Sequence, residues 1–192
     1  MSFKIIAEKL NGIKIIEYDK YSDNRGYFME TFRQDVFNEF RLPFRFIQDN
    51  ISKSRKNVIR GLHFQWDPPM GKLVSVLKGK AFLVGVDIRK NSPSLGNWHG
   101  IELKADSNQS IYYPPGFAFG FCALGENTLV QYKCTAIFNP KTTSEILWND
   151  EELGIKWPVK KPIISEKDNS AQSFTKWINS PESENFKHHK RQ

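Results

Sequence analysis

Apolar and polar residues alternate in short stretches along most of the chain, and turn-forming residues separate those stretches at close intervals. Side chains two apart on an extended strand share a face, so this period is that of half-buried strands. It predicts strands at Lys14 to Tyr18, Val58 to Gln65, Lys72 to Leu77, Ala81 to Ile88, Trp98 to Leu103, Ser110 to Tyr113 and Thr128 to Thr135. Lys78-Gly79-Lys80 reads as a tight hairpin. Asn91-Ser92-Pro93-Ser94 and Pro114-Pro115-Gly116 read as turns, since proline fixes φ and glycine permits positive values. Many short strands with frequent turns predict a mainly β sandwich, jelly roll or barrel. Asp35 to Phe40 reads as a helix, with Asp35 near its start and Pro43 beyond it. From Pro158 on the chain is polar with short apolar pieces, which predicts one or two peripheral helices. Residues from about Ser180 read as loosely held, giving one domain over residues 1–180 and a polar, basic tail over 181–192.

A chain of 192 residues is long enough for one good core and short for two ordinary domains. Apolar residues at 39% with 14% aromatics argue against disorder and suit pleated, half-buried surfaces. No apolar run approaches the ~18 residues of a membrane span, and Met1-Ser2-Phe3-Lys4 opens no signal peptide. A cytoplasmic protein is the expectation. Cys122 and Cys134 read as small buried apolar residues, not as a disulfide framework. The net charge of +7 raises the possibility of nucleic acid, but the surplus is spread along the chain and partly held in Lys187-His188-His189-Lys190-Arg191. Arg25, Arg60, Lys72 and Lys167 lie instead in or beside candidate site segments, which favours a pocket for a small anionic molecule.

Candidate chemistry centres on Arg60-Gly61-Leu62-His63-Phe64-Gln65 and Gly71-Lys72-Leu73-Val74. A histidine beside a lysine suits proton transfer next to a stabilised anion, because imidazole titrates near neutral pH and a fixed ammonium holds developing negative charge. Parity puts Lys72 on one face with Val74 and Val76, and Tyr132 on one face with Val130 and Cys134. If those neighbours face the interior, so do the ammonium and the phenol, and a buried ammonium needs a partner. Leu62 and Phe64 take the face opposite His63.

Each of these residues also has a plain structural reading. His63 alone suits a hydrogen-bonded structural histidine, Tyr132 a core aromatic, Asp168 a helix cap, and Gln48-Asp49-Asn50 a turn. A metal centre lacks ligands: His63, His99, His188 and His189 are the only histidines, and the adjacent pair lies in the tail. Walker, GxGxxG and GxSxG patterns are missing as well.

Taken together, the segments resemble a known family, the dTDP-4-dehydrorhamnose 3,5-epimerases. The resemblance runs from about Ile15 to Asp168, through Asp23-Asn24-Arg25-Gly26-Tyr27-Phe28-Met29-Glu30, Phe46-Ile47-Gln48-Asp49-Asn50, Arg60 to Gln65, Gly71 to Val74, Val86-Asp87-Ile88-Arg89-Lys90, Pro115-Gly116-Phe117-Ala118, Tyr132-Lys133 and Leu147-Trp148-Asn149-Asp150. It implies a double-stranded β-helix jelly roll of cupin type that pairs as a homodimer, works without metal or other cofactor, and epimerises a 4-keto-6-deoxy sugar carried on dTDP. By the same resemblance His63 is the base, Asp168 its orienting carboxylate, Tyr132 the acid on the opposite face, and Lys72 the cation at the C4 oxygen. Arg25, Glu30, Gln48, Asp49, Asn50, Arg60 and Lys167 match positions that hold sugar or nucleotide. Phe119 stands where the family segment usually has histidine, and Thr143 roughly where a substrate-contacting glutamate is common, so Phe119 is expected to alter substrate binding. Rival readings are an epimerase acting at C3 or C5 alone, a ketoisomerase, a non-catalytic nucleotide-sugar binder and a basic nucleic-acid binder.

Overall fold

A computed structural model describes residues 3–43 and 45–187. In chain order the first strands are β1 (Phe3–Lys9), β2 (Ile13–Tyr18), β3 (Lys20–Asp23) and β4 (Gly26–Met29), followed by the helix α1 (Gln34–Glu39). Then come β5 (Gln48–Ser54), β6 (Ile59–Gln65), β7 (Lys72–Lys78), β8 (Lys80–Asp87), β9 (Trp98–Lys104) and β10 (Gln109–Tyr113). The chain continues through β11 (Phe117–Ala123), β12 (Thr128–Cys134) and β13 (Thr143–Glu145) to the short helices α2 (Glu166–Asn169) and α3 (Phe174–Ile178).

Two antiparallel sheets face each other, one ordered β1-β2-β10-β7-β12-β5 and the other β13-β6-β11-β8-β9, while β3 and β4 form a separate hairpin. This is the mainly β jelly roll with short peripheral helices that the resemblance implied. β7 and β8 belong to different sheets, so Lys78-Gly79-Lys80 is not the hairpin expected of it. It is a corner that carries the chain from one sheet to the other. Gly79 turns it with φ +75°, and an added Cβ would stand 2.8 Å from the Thr128 hydroxyl.

Between the sheets, Val74, Val76 and Val130 meet Leu83, Phe119 and Phe121. The five-stranded sheet is buried on its other face too, where Leu62, Phe64, Val84 and Val86 pack under Leu153, Phe174, Trp177 and Phe186. A strand buried on both faces loses its alternation. The run Phe117–Ala123 is buried at every position and so shows no period of two. On the six-stranded sheet, Ile16, Leu73 and Tyr112 are covered by Phe3 and by Val36 and Phe37 of α1.

The expectation of a loose tail from residue 180 fails over residues 181–187. Ser183 and Phe186 are buried, Lys90 N–H donates to the Phe186 carbonyl, and Lys90 pairs with Glu184. One aromatic ring among polar neighbours secures this segment, because Phe186 stacks near Phe64 and Trp177. The basic residues from 188 on lie outside the described residues. No helix among those described is long and apolar enough to cross a membrane.

Candidate active site

A cavity of about 400 Å³ opens between the two sheets, with His63 on β6 lining one side and Lys72 on β7 and Tyr132 on β12 lining the other. Strict alternation would send Arg60 and His63 to opposite faces of β6. Both line the cavity because the β6 register against β11 shifts between them, from Phe121↔Arg60 to Phe119↔His63. Gly61 makes this bulge possible. Its φ is +119°, and an added Cβ would lie 2.6 Å from the Gly120 Cα and 2.7 Å from the Phe119 carbonyl oxygen.

The fixed orientation of His63 comes from a segment far away in sequence. Val58 and Ile163 bridge in parallel, and Ile59 N–H donates to the Ile163 carbonyl, so the chain after Pro158 is stitched to the start of β6. Ser165 then caps α2 by accepting from the Asp168 N–H at 3.1 Å. The cap is therefore Ser165. Asp168 is left to point inward, where its Oδ1 lies 2.6 Å from His63 Nε2 and its Oδ2 accepts from the Gly61 N–H at 3.4 Å. Burial pushes the Asp168 carboxyl up, but the hydrogen bond and charge of His63, aided by Gly61 and Ser165, outweigh it and hold the group below its ordinary value. A carboxylate on Nε2 fixes the ring and leaves Nδ1 for the cavity.

Lys72 faces inward as parity required. Its ammonium donates to the His63 carbonyl at 3.2 Å across the gap between sheets, and burial lowers its pKa to about 8 against a smaller opposing pull from Cys134. Burial likewise raises the Tyr132 phenol, with Arg60 pulling it the other way. The arrangement is an imidazole locked by a carboxylate on one wall, with a phenol and an ammonium rising from the other. Such a set can take a proton from one face of a ligand, hold the anion, and return a proton to the opposite face.

Gln48, Asn50, Arg60 and Lys167 also line the cavity. Gln48 and Asn50 are joined to each other at 3.2 Å, and Gln48 accepts from the Phe138 N–H at 2.7 Å. Far from forming a turn, residues 48–50 begin β5. Asp49, between them, points to the outer face of that strand and pairs with Lys133 at 2.7 Å, so it does not join the site. Phe119 is not in the cavity wall either. It is buried in the core behind Lys72 and Tyr132, with ring centres 6.5 Å from Tyr132 and 4.9 Å from Tyr113. Arg25 lies on the exposed β3–β4 hairpin with Asp23, and Glu30 follows β4 near Arg33, both away from this cavity. Gln65, which closes the Arg60–Gln65 motif without having been given a role, completes the wall together with residues of no motif, among them Met70, Cys134, Phe138, Glu145 and Ser165. For Gln65 and Cys134 the signal was present, since each shares strand parity with a candidate residue.

Comparison with known proteins agrees with this geometry. The family model described as dTDP-4-dehydrorhamnose 3,5-epimerase matches residues 7–176. The dTDP-4-dehydrorhamnose 3,5-epimerase of Methanothermobacter thermautotrophicus is 48% identical over 169 residues, 86% of this chain and 91% of that one. Among solved structures, the dTDP-6-deoxy-D-glucose-3,5-epimerase of Legionella pneumophila, in complex with dTDP-4-keto-L-rhamnose, superposes with a TM-score of 0.89 at 38% identity, covering 98% of this chain and 100% of that one. The dTDP-4-dehydrorhamnose 3,5-epimerase of Elizabethkingia anophelis gives a TM-score of 0.87 at 39% identity, over 92% and 98% of the two chains. With the fold, the length and the cavity in accord, this chain belongs to the dTDP-4-dehydrorhamnose 3,5-epimerase family and is an isomerase.

Proposed function

We propose that the protein inverts C3 and C5 of a dTDP-4-keto-6-deoxyhexose, with His63 as base, Tyr132 as acid and Lys72 as the enolate-stabilising cation. The observation that carries this reading is that His63 and Tyr132 approach one cavity from opposite sheets, with the Lys72 ammonium lining the same cavity and reaching the His63 carbonyl. A C4 ketone acidifies the hydrogens on C3 and C5. His63 takes one of them, the C–H electron pair moves into the new carbon–carbon double bond, and the carbonyl pair moves onto the C4 oxygen facing Lys72. The pair then returns to carbon, which accepts the Tyr132 hydroxyl proton on the other face; solvent reprotonates the phenolate and takes the abstracted proton from the His63 imidazolium. Electrons end where they began, so the reaction as written consumes no oxidant or reductant. A positioned base typically contributes ~100- to 10,000-fold.

Arg60 and Lys167 provide guanidinium and ammonium donors for a diphosphate, and Gln48 and Asn50 provide neutral ones. A homodimer accounts for the residues left outside the cavity. Tyr21, Tyr27 and Phe28 are exposed on the β3–β4 hairpin beside Arg25, and Ile51 and Leu77 are exposed on the outer face of the six-stranded sheet. In this reading a second copy covers these groups, and the hairpin carries Arg25 and Glu30 toward the partner's cavity. The substrate is a cytosolic nucleotide sugar, which fits two buried cysteines left as free thiols.

The test is incubation of purified protein with dTDP-4-keto-6-deoxyglucose in deuterated water, followed by proton NMR. Deuterium should enter at both C3 and C5 with inversion. Exchange at neither carbon would end the reading, and light scattering of the same sample should give the mass of two chains.

A further inference from the structure

Glu145 is the one cavity carboxylate that the mechanism above leaves without a task. It ends β13, the edge strand paired with β6, and in that register it stands directly opposite His63, with Thr143 opposite Gln65. Residues paired across antiparallel strands present side chains on the same face with Cβ atoms roughly 4.5–5.5 Å apart. The carboxylate is largely buried, with 19% of its side chain exposed, and lines the same cavity as the imidazole. Among the described residues its charged partner is Lys167, whose ammonium lies 3.2 Å away and whose side chain is 60% exposed.

This placement restricts what Glu145 can touch. A general base works within hydrogen-bond reach of the proton it removes, so the sugar ring must lie against His63, and Glu145 is its neighbour on that wall. An ionised carboxylate only accepts hydrogen bonds. Phosphate oxygens, a ketone and a thymine carbonyl are acceptors too and are repelled, whereas ring hydroxyls donate. Apart from Asp168, whose carboxylate is engaged by His63, the charged groups in the rest of the cavity are the cations Arg60, Lys72 and Lys167, which would draw an anion anywhere along its length. Glu145 breaks that uniformity at the ring end.

We propose that Glu145 is a sugar-recognition residue, accepting a hydrogen bond from a ring hydroxyl beside the reacting carbon and turning the diphosphate and any carboxylate-bearing hexose away from His63. The inference rests on the proposed function and adds the group that tells one end of the substrate from the other.

The experiment compares the wild type with Glu145→Ala, Glu145→Gln and Lys167→Ala. It measures kcat/KM for dTDP-4-keto-6-deoxyglucose and, by calorimetry, the Kd for dTDP alone. A hydrogen bond to a charged group predicts a loss in kcat/KM of about ten- to a hundredfold for Glu145→Ala. Glu145→Gln should lose less, since the amide keeps one acceptor, and the dTDP Kd should stay within about twofold in both. Lys167→Ala should weaken dTDP itself. An unchanged kcat/KM for the Glu145 variants, or a fall in dTDP affinity parallel to that of Lys167→Ala, would overturn the proposal and make Glu145 a perch for Lys167. Retained dTDP binding reports folding, and if Glu145→Ala fails to fold the near-isosteric Glu145→Gln decides by the same criteria. A wild type without turnover would instead overturn the parent reading, and this inference with it.

Discussion

The Lys72 ammonium lies 5.6 Å from the centre of the Phe119 ring, and among the described residues no carboxylate pairs with it. Its partners are a π face and a backbone carbonyl, which stabilise a buried cation only in part. An ammonium in this condition is poised to gain from an anion arriving in the cavity.

Lys72→Met should therefore abolish turnover yet stabilise the fold. The folded pKa of about 8 lies below the ordinary 10.5, so between these values the unfolded chain binds more protons than the folded one. Wild-type stability rises with pH across that window, and the penalty is fully present below it. Removing the charge should raise stability on the order of 1 to 2 kcal/mol at pH 7 and flatten the alkaline rise, as denaturant melts at pH 7 and 10 would show. Wild-type turnover should fall above about pH 8, as the ammonium is lost.

His63→Ala should stop deuterium entry at both carbons. Tyr132→Phe should slow net inversion more than wash-in at the first carbon, because a base alone forms the enolate while inversion needs a donor on the far face. Asp168→Asn should fall between them, at ~100-fold or more, through loss of the fixed imidazole. Near-normal turnover in His63→Ala would show the base to be misassigned.

Gly61→Ala places a methyl where the Gly120 Cα and the Phe119 carbonyl stand, at a φ that L-residues avoid. The bulge should be lost, with a destabilisation of roughly 3 kcal/mol or more. If the variant stays soluble, Arg60 and His63 should no longer act on one ligand. An unchanged melting temperature would contradict this account of the strand.

Phe186→Ala removes a ring packed against Phe64 and Trp177. Burial of this kind predicts a loss of about 3 kcal/mol, measurable by urea unfolding. A loss under about 0.5 kcal/mol, as for an exposed site, would restore the tail that composition suggested.

Much of the frame was legible because it rests on period two. β7, β8, β9, β10 and β12 fall where alternation put them, and Lys72 and Tyr132 face inward with Val74 and Val130 as expected. What stayed hidden depends on contacts that no local pattern encodes. β11 lost its alternation to burial on both faces, β5 was disguised by polar residues that serve the cavity, and the corner at Gly79 has the same composition as a hairpin. At the site, the resemblance supplied His63 and Asp168 but not the bulge that brings Arg60 round beside them. It also grouped Asp49 with Gln48 and Asn50, which strand parity separates. Phe119, expected at the substrate, is instead buried in the core against Lys72 and Tyr132.

The stitch between Val58 and Ile163 carries a temporal meaning. His63 and the carboxylate that holds it are 105 residues apart. During synthesis the imidazole leaves the ribosome before its partner, and every strand of both sheets precedes that partner in the chain. The hold on the ring therefore waits for the stretch after Pro158, which lies along β6 and places Asp168 inward behind its Ser165 cap. A polypeptide broken off after β13 would own every strand and still lack the carboxylate that holds the imidazole.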